Sequence, residues 1–191
     1  MSAQVYEVEL KFRVADPAGI ERRLAALGGR FAPAVEQVDR YFAHPSRDFA
    51  ASDEALRLRR VGDDVAVTWK GPRIDAATKT RREIELGLAP VEPADGDATI
   101  ARWTGLLEAL GFRQVREVAK RRRVAVVPWD GDEVEVALDV VAGLGSFLEL
   151  EQRAAEGLVD RARERIESLA CDLGCTVPER RSYLELLLAS G

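Results

Sequence analysis

Glu7-Val8-Glu9-Leu10-Lys11-Phe12-Arg13-Val14 decides how the chain is read. The stretch alternates without a break: Glu7, Glu9, Lys11 and Arg13 take one phase, and Val8, Leu10, Phe12 and Val14 take the other. A period of two belongs to a β-strand with one face per phase. The polar phase is unusual. A solvated face carries scattered Lys, Glu, Thr and Ser, whereas here two carboxylates are followed at once by two cations. If other strands repeat this, a second arrangement opens, in which the apolar phase packs outward under helices and the charged phase lines the inside of a closed sheet.

The theme recurs. Residues 31–43 read as a strand with Gln37, Asp39 and Tyr41 in phase. Leu56-Arg57-Leu58-Arg59 alternates again, and Gly62-Asp63-Asp64 turns it into a hairpin with 65–70, where Ala66, Thr68 and Lys70 oppose Val65, Val67 and Trp69. Arg81, Glu83 and Glu85 share a phase opposite Ile84 and Leu86. A strand over 114–127 places Lys120 and Arg122 together. Asp130-Gly131 then signals a hairpin into 134–140, with Glu133, Glu135, Ala137 and Asp139 on one side. Glu149 and Glu151 pair in the last strand. Helices are expected over 17–28 behind an Asp16-Pro17 cap, over 98–110, 157–173 and 180–189, with a loop at 73–79 and a linker at 87–97. The order is β-α-β-β-β-β-α-β-β-β-α-α. Eight strands suffice to close a small barrel around a lumen. The expected fold is therefore α+β: one domain over 1–191, an eight-stranded antiparallel closed β-barrel with helices packed outside.

Composition narrows the function. The 191 residues are 47% apolar and 32% charged, with a net charge of −5, a soluble globular balance that argues against a nucleic-acid-coating protein. There is no basic-then-apolar leader and no apolar run of membrane-spanning length, so a cytoplasmic protein without membrane partners is expected. His44 is the only histidine, which sets aside Ser-His-Asp, Cys-His and His-zinc chemistry. Cys171 and Cys175 are expected to be buried, reduced thiols.

In a single strand, paired surface charges are ordinary and each pair is worth about 0–1 kcal/mol. That reading weakens as strand after strand carries charge with almost no Ser, Thr or Gln in the same phase. The cations Lys11, Arg13, Arg57, Arg59, Lys70, Arg81, Lys120 and Arg122 suit a polyanion with several oxygens. The acids Glu7, Glu9, Glu83, Glu85, Asp139, Glu149 and Glu151 suit a hard divalent cation, Mg²⁺ or Mn²⁺, bound through oxygen. Cations and carboxylates in one lumen read together as a metal–polyphosphate site. No glycine-rich GKS/T loop is present, so a P-loop protein is not expected.

This ordered set resembles the CYTH family, also called triphosphate tunnel metalloenzymes. The likeness runs from the E-x-E-x-K of Glu7, Glu9 and Lys11 through the Asp39-Arg40-Tyr41-Phe42 strand, Arg57 and Arg59, Lys70 in TWKGP, and Arg81/Glu83/Glu85. It continues through Lys120 and Arg122 to Asp139 and the Glu149/Glu151 pair in GLGSFLELE. The resemblance implies a charged tunnel and roles within it. Glu7, Glu9, Asp139, Glu149 and Glu151 would bind Mg²⁺ or Mn²⁺, with Glu83 and Glu85 holding a second ion or bracing arginines. Arg57, Arg59, Lys70, Lys120 and Arg122, with Lys11, Arg13, Arg81 and Tyr41, would hold a triphosphate-containing small molecule. Lys11 would orient or activate the attacking group, with Glu9 and Arg57 also catalytic. The implied reaction is metal-dependent hydrolysis of inorganic or nucleoside triphosphate. A class IV adenylate cyclase is the alternative, since YEVELKFRV and RRSYLELLL look like the branch of that name. A non-catalytic polyphosphate-binding module is weaker. Some members carry a tyrosine three residues after the arginine of the sixth strand, where this chain has Ala125. The sequence leaves monomer and homodimer both open. Leu184, Leu186, Leu187 and Leu188 are expected to cover the barrel.

Overall fold

A computed structural model describes residues 5–73 and 80–190; most of the expected loop at 73–79 lies outside them. The described strands are β1 (Val5–Arg13), β2 (Val35–Ala43), β3 (Ala55–Val61), β4 (Asp64–Arg73), β5 (Arg81–Leu88), β6 (Arg113–Trp129), β7 (Asp132–Val141) and β8 (Gly145–Ala155). They close into an antiparallel barrel in the order β1-β5-β4-β3-β2-β6-β7-β8. The helices are α1 (Pro17–Ala26), α2 (Gly96–Ala109), α3 (Val159–Asp172) and α4 (Tyr183–Ala189).

Local chemistry sets the boundaries. The Asp16 side chain accepts from the Gly19 N–H at 2.8 Å, capping α1 behind Pro17. Asp130 and Gly131 have φ of 48° and 74°, the paired left-handed residues of the turn whose twist suits the β6–β7 hairpin.

The apolar phase packs outward. Val8, Leu10 and Phe12 of β1 join Val134, Val136, Leu148 and Leu150 beneath Leu24 of α1 and Ile166 and Leu169 of α3. Each fully buried side chain of this size contributes roughly 1.5–3 kcal/mol, so this layer fixes the phase of β1, β7 and β8. On the other flank α2 sets Ile100 against Phe42, Leu58 and Val65.

The fourth helix is placed differently from the other three. Its Tyr183, Leu186 and Leu187 pack on Tyr41, Val118, Val141 and Phe147, which share the phase of the charged residues. The expected leucine cover is therefore a stopper across part of one barrel end, while α1, α2 and α3 lie on the outer wall. Leu188 is half exposed. The cysteines also differ from expectation. Cys171 is exposed and Cys175 half-buried, because α3 buries the stripe of Ala162, Ile166, Leu169 and Ala170 and turns position 171 to solvent. No helix among the described residues is long and apolar enough to cross a membrane.

Candidate active site

Strand order alone places the two charge types on facing walls. Around a circle of eight, β1 stands opposite β2, and β8 opposite β3. The paired glutamates ride on β1 and β8, and Glu9 lies in register with Glu151, which is in register with Glu135 of β7. Three carboxylates thus form one row. The facing wall, β3-β2-β6, carries Arg57, Arg59, Lys120 and Arg122.

Two buried aspartates set the cations. Asp39 is 1% exposed and takes both Arg59 Nε at 2.6 Å and Nη2 at 2.7 Å. Burial alone would raise its carboxyl, but the Arg59 and Arg57 charges outweigh that and hold it well below the usual carboxylate range. Asp139, also 1% exposed, accepts Arg122 Nε at 2.7 Å, Arg122 Nη2 at 2.6 Å, Lys120 Nζ at 3.0 Å and the Tyr183 hydroxyl at 3.0 Å. Arg122 also donates to Glu149. Burial, then the adjacent Arg122 charge, lowers the Lys120 ammonium to about 8.

Arg57 is the least satisfied of these cations. It is 8% exposed, and its Nε has no hydrogen-bond partner among the described residues. Its ion-pair partners, Asp39 and Glu85, stand at 3.6 and 3.9 Å, beyond hydrogen-bond reach. A buried guanidinium N–H without an acceptor is costly unless something comes to fill it.

The acidic wall carries the opposite strain. Burial, with the neighbouring Glu7, Glu9 and Glu135 charges, pushes Glu151 up to about 9. Lys70 sits between Glu7 at 3.7 Å and a closer Glu83. Burial would raise Glu7, yet Lys70 keeps it ionised; Glu83, hydrogen-bonded to Glu7, is raised by its own burial. Among the described residues no three carboxylates converge into a ready-made metal cage. An all-oxygen wall of this kind still fits Mg²⁺, which keeps several waters and takes one or two carboxylates together with substrate phosphate.

The CYTH domain model matches residues 5–174. The chain belongs to the CYTH domain family. It is 34% identical over 183 residues to a Methanocaldococcus jannaschii protein whose name assigns it provisionally to the adenylate cyclases, covering 94% of this chain and 97% of that one. It is 30% identical over 191 residues to the adenylate cyclase CyaB of Aeromonas hydrophila, covering 95% and 88%. A solved Pyrococcus horikoshii structure superposes with a TM-score of 0.82 at 37% identity, covering 97% and 99%.

The CYTH barrel encloses a cavity of about 780 Å³. Glu7, Glu9, Lys11, Tyr41, Arg57, Arg59, Lys70, Arg81, Glu83, Glu85, Lys120, Arg122, Glu149 and Glu151 all line it. Two expected site residues do not. Arg13 lies outside the cavity, half exposed, against the Phe147 ring and donating to the Leu144 carbonyl at 3.3 Å. Asp139 is enclosed behind Lys120 and Arg122, and its oxygens accept from those two cations and from the Tyr183 hydroxyl. Arg81 reaches the cavity but gives Nη1 to the Asp53 and Gly71 carbonyls, and Glu85 sits at the rim, accepting from Thr68.

The structure adds Asp39, Glu135 and Tyr183 to the site. The first two carry a readable signal, since each stands in phase with a residue already assigned. Tyr183 belongs to α4, beyond the CYTH match. The cavity is also not charged throughout. It is also lined by Phe49, Leu56, Val115 and His44, and by Leu184 and Leu188 of α4.

Proposed function

We propose that this CYTH protein is a divalent-metal-dependent triphosphatase, acting on inorganic triphosphate or a nucleoside triphosphate inside the barrel. Arg57 is the observation that carries the reading. Arg57 lines the chamber with a buried Nε that has no acceptor among the described residues, while its neighbours Arg59, Lys120 and Arg122 are already fixed by Asp39 and Asp139. An incoming phosphate supplies the oxygen that the Arg57 guanidinium lacks.

Arg57, Arg59, Lys120 and Arg122 bind the phosphate oxygens from the β3-β2-β6 wall. Their aspartate braces hold them in place before the ligand arrives, so little is lost in ordering them. Glu7, Glu9 and Glu151, with Glu135 in the same row, offer oxygens to Mg²⁺ or Mn²⁺; such an ion, when bound, neutralises phosphate charge that the carboxylates would otherwise repel. Lys11 lies on the acidic wall in register with Glu149, placed to orient the attacking water. Phosphoryl transfer of this kind depends mainly on positioning and charge neutralisation.

A second reading is favoured by the apolar residues that also line the cavity and by the names of the two curated relatives. An organic group lodged between Phe49 and Leu184 would make a nucleotide the substrate, and its ribose hydroxyl could replace water as in an adenylate cyclase. Phosphorus NMR of the products separates the two. Orthophosphate with diphosphate or ADP supports hydrolysis; pyrophosphate with cyclic AMP overturns it in favour of cyclisation.

A further inference from the structure

Tyr183 stands 172 residues from Lys11 in sequence, yet its side chain sits among the cations of the chamber. Its hydroxyl donates to Asp139 Oδ2 at 3.0 Å, the same oxygen that accepts Lys120 Nζ and Arg122 Nη2. Its ring lies 4.1 Å from Lys11 Nζ and 5.1 Å from Lys120 Nζ, measured to the centroid, both within cation–π reach. The ring also meets Phe147 edge-on at 5.0 Å, so its orientation is fixed from behind. Burial, then the Glu149 and Asp139 charges, holds the phenol well above its usual range, and it stays a donor.

The chain leading to it is fastened to the same lysine. The Glu179 N–H donates to the Lys11 carbonyl at 2.6 Å, and Lys11 Nζ donates to the Arg181 carbonyl at 2.5 Å. Ser182 and Glu185 then form a reciprocal cap that starts α4 with Tyr183 as its first residue. One short segment therefore touches three of the chamber's cations, directly or through Asp139.

We propose that Tyr183 is a positioning residue of the triphosphate site, holding Lys120 and Arg122 where the phosphate oxygens must meet them and packing its ring against Lys11 on the facing wall. Within the stopper helix this role belongs to Tyr183, and Leu186 and Leu187 only pack it onto the barrel. The inference rests on the triphosphate reading above.

The test compares Tyr183→Phe with Leu187→Ala in the full chain. Both change α4, but Leu187 packs in the same cluster as Tyr183 without a polar role. Calorimetric titration with inorganic triphosphate and Mn²⁺ should show Tyr183→Phe binding about tenfold more weakly, the scale expected for one lost hydrogen bond to a charged group. KM should rise by a similar factor with kcat within about twofold. Leu187→Ala should lower the melting temperature and leave the affinity of the folded protein unchanged. In a Lys120→Met background the Tyr183→Phe loss should shrink, because part of it runs through that lysine. Affinity unchanged by Tyr183→Phe, equal losses in Leu187→Ala, or full additivity with Lys120→Met overturns the inference alone. Wild-type protein that binds no triphosphate overturns the functional reading, and this inference with it.

Discussion

Asp39→Asn isolates the work done by a buried brace. The side chain of Asp39 is 2% exposed, and its two oxygens receive two Arg59 N–H groups at 2.6 and 2.7 Å with Arg57 at 3.6 Å. The amide can still accept one of those bonds. Its NH₂ must then face the other Arg59 nitrogen, donor against donor, and two guanidinium groups lose their counter-charge. Removing one partner of a buried pair costs about 3–5 kcal/mol. One retained hydrogen bond places this case near the lower end, about 3 kcal/mol. For a chain of this size that corresponds to a melting temperature lower by roughly 6–12 °C.

The pH dependence has a definite sign. The folded carboxyl of Asp39 is held below its unfolded value, so its contribution is fully present above the unfolded value of about 3.9 and is lost as pH falls through the folded one. The gap between wild type and Asp39→Asn should therefore be constant from pH 8 to pH 5 and close only in strong acid. Circular dichroism melts across this pH range provide the assay. A variant melting within about 2 °C of wild type at pH 7 would refute the brace.

Other consequences follow from the two walls. If Glu9 holds the proposed metal, Glu9→Gln removes that charge with little change of shape, and turnover should fall by on the order of a hundredfold or more with the melting curve intact; full activity with unaltered metal dependence counts against the site. Arg57→Ala should weaken triphosphate binding by about tenfold or more, measured by calorimetry, since it deletes the chamber's unsatisfied guanidinium. Glu151 has a raised folded value, so metal-free wild type should lose stability as pH rises from about 4.5 towards 9. Glu151→Gln should flatten that decline, melt on the order of a few degrees higher at pH 8, and lose most of the stabilisation given by Mn²⁺. An unchanged pH profile would show that the acidic row is not under mutual strain.

The barrel was legible because the alternation is strict. Once Val8, Leu10 and Phe12 are assigned to a helix-covered face, Glu7, Glu9 and Lys11 have only the lumen left, and the structure places them there. Alternation fixes which side a residue faces but says nothing of its depth along the barrel axis. Depth comes from pairing between strands far apart in sequence. Arg13 has the right phase, yet its register with Phe147 carries it out of the cavity. Asp139 also has the right phase, and the convergence of Lys120, Arg122 and Tyr183 on it hides it from the cavity. Arg81 is drawn off by backbone carbonyls that no side-chain pattern reveals. The fourth helix was the hardest to place, because a stripe of leucines states that a helix is covered and not which surface covers it. Here the partners are inward-facing Val118, Val141 and Phe147, and only the closed barrel brings them together at one end.

The most direct test of the two-wall account is the anomalous scattering of Mn²⁺ in crystals grown with a non-hydrolysable triphosphate. The account predicts a manganese peak against Glu9 and Glu151, with phosphorus density across the chamber on Arg57, Arg59 and Arg122. Manganese on the Asp39–Asp139 side, or a triphosphate bound outside the barrel, would contradict it.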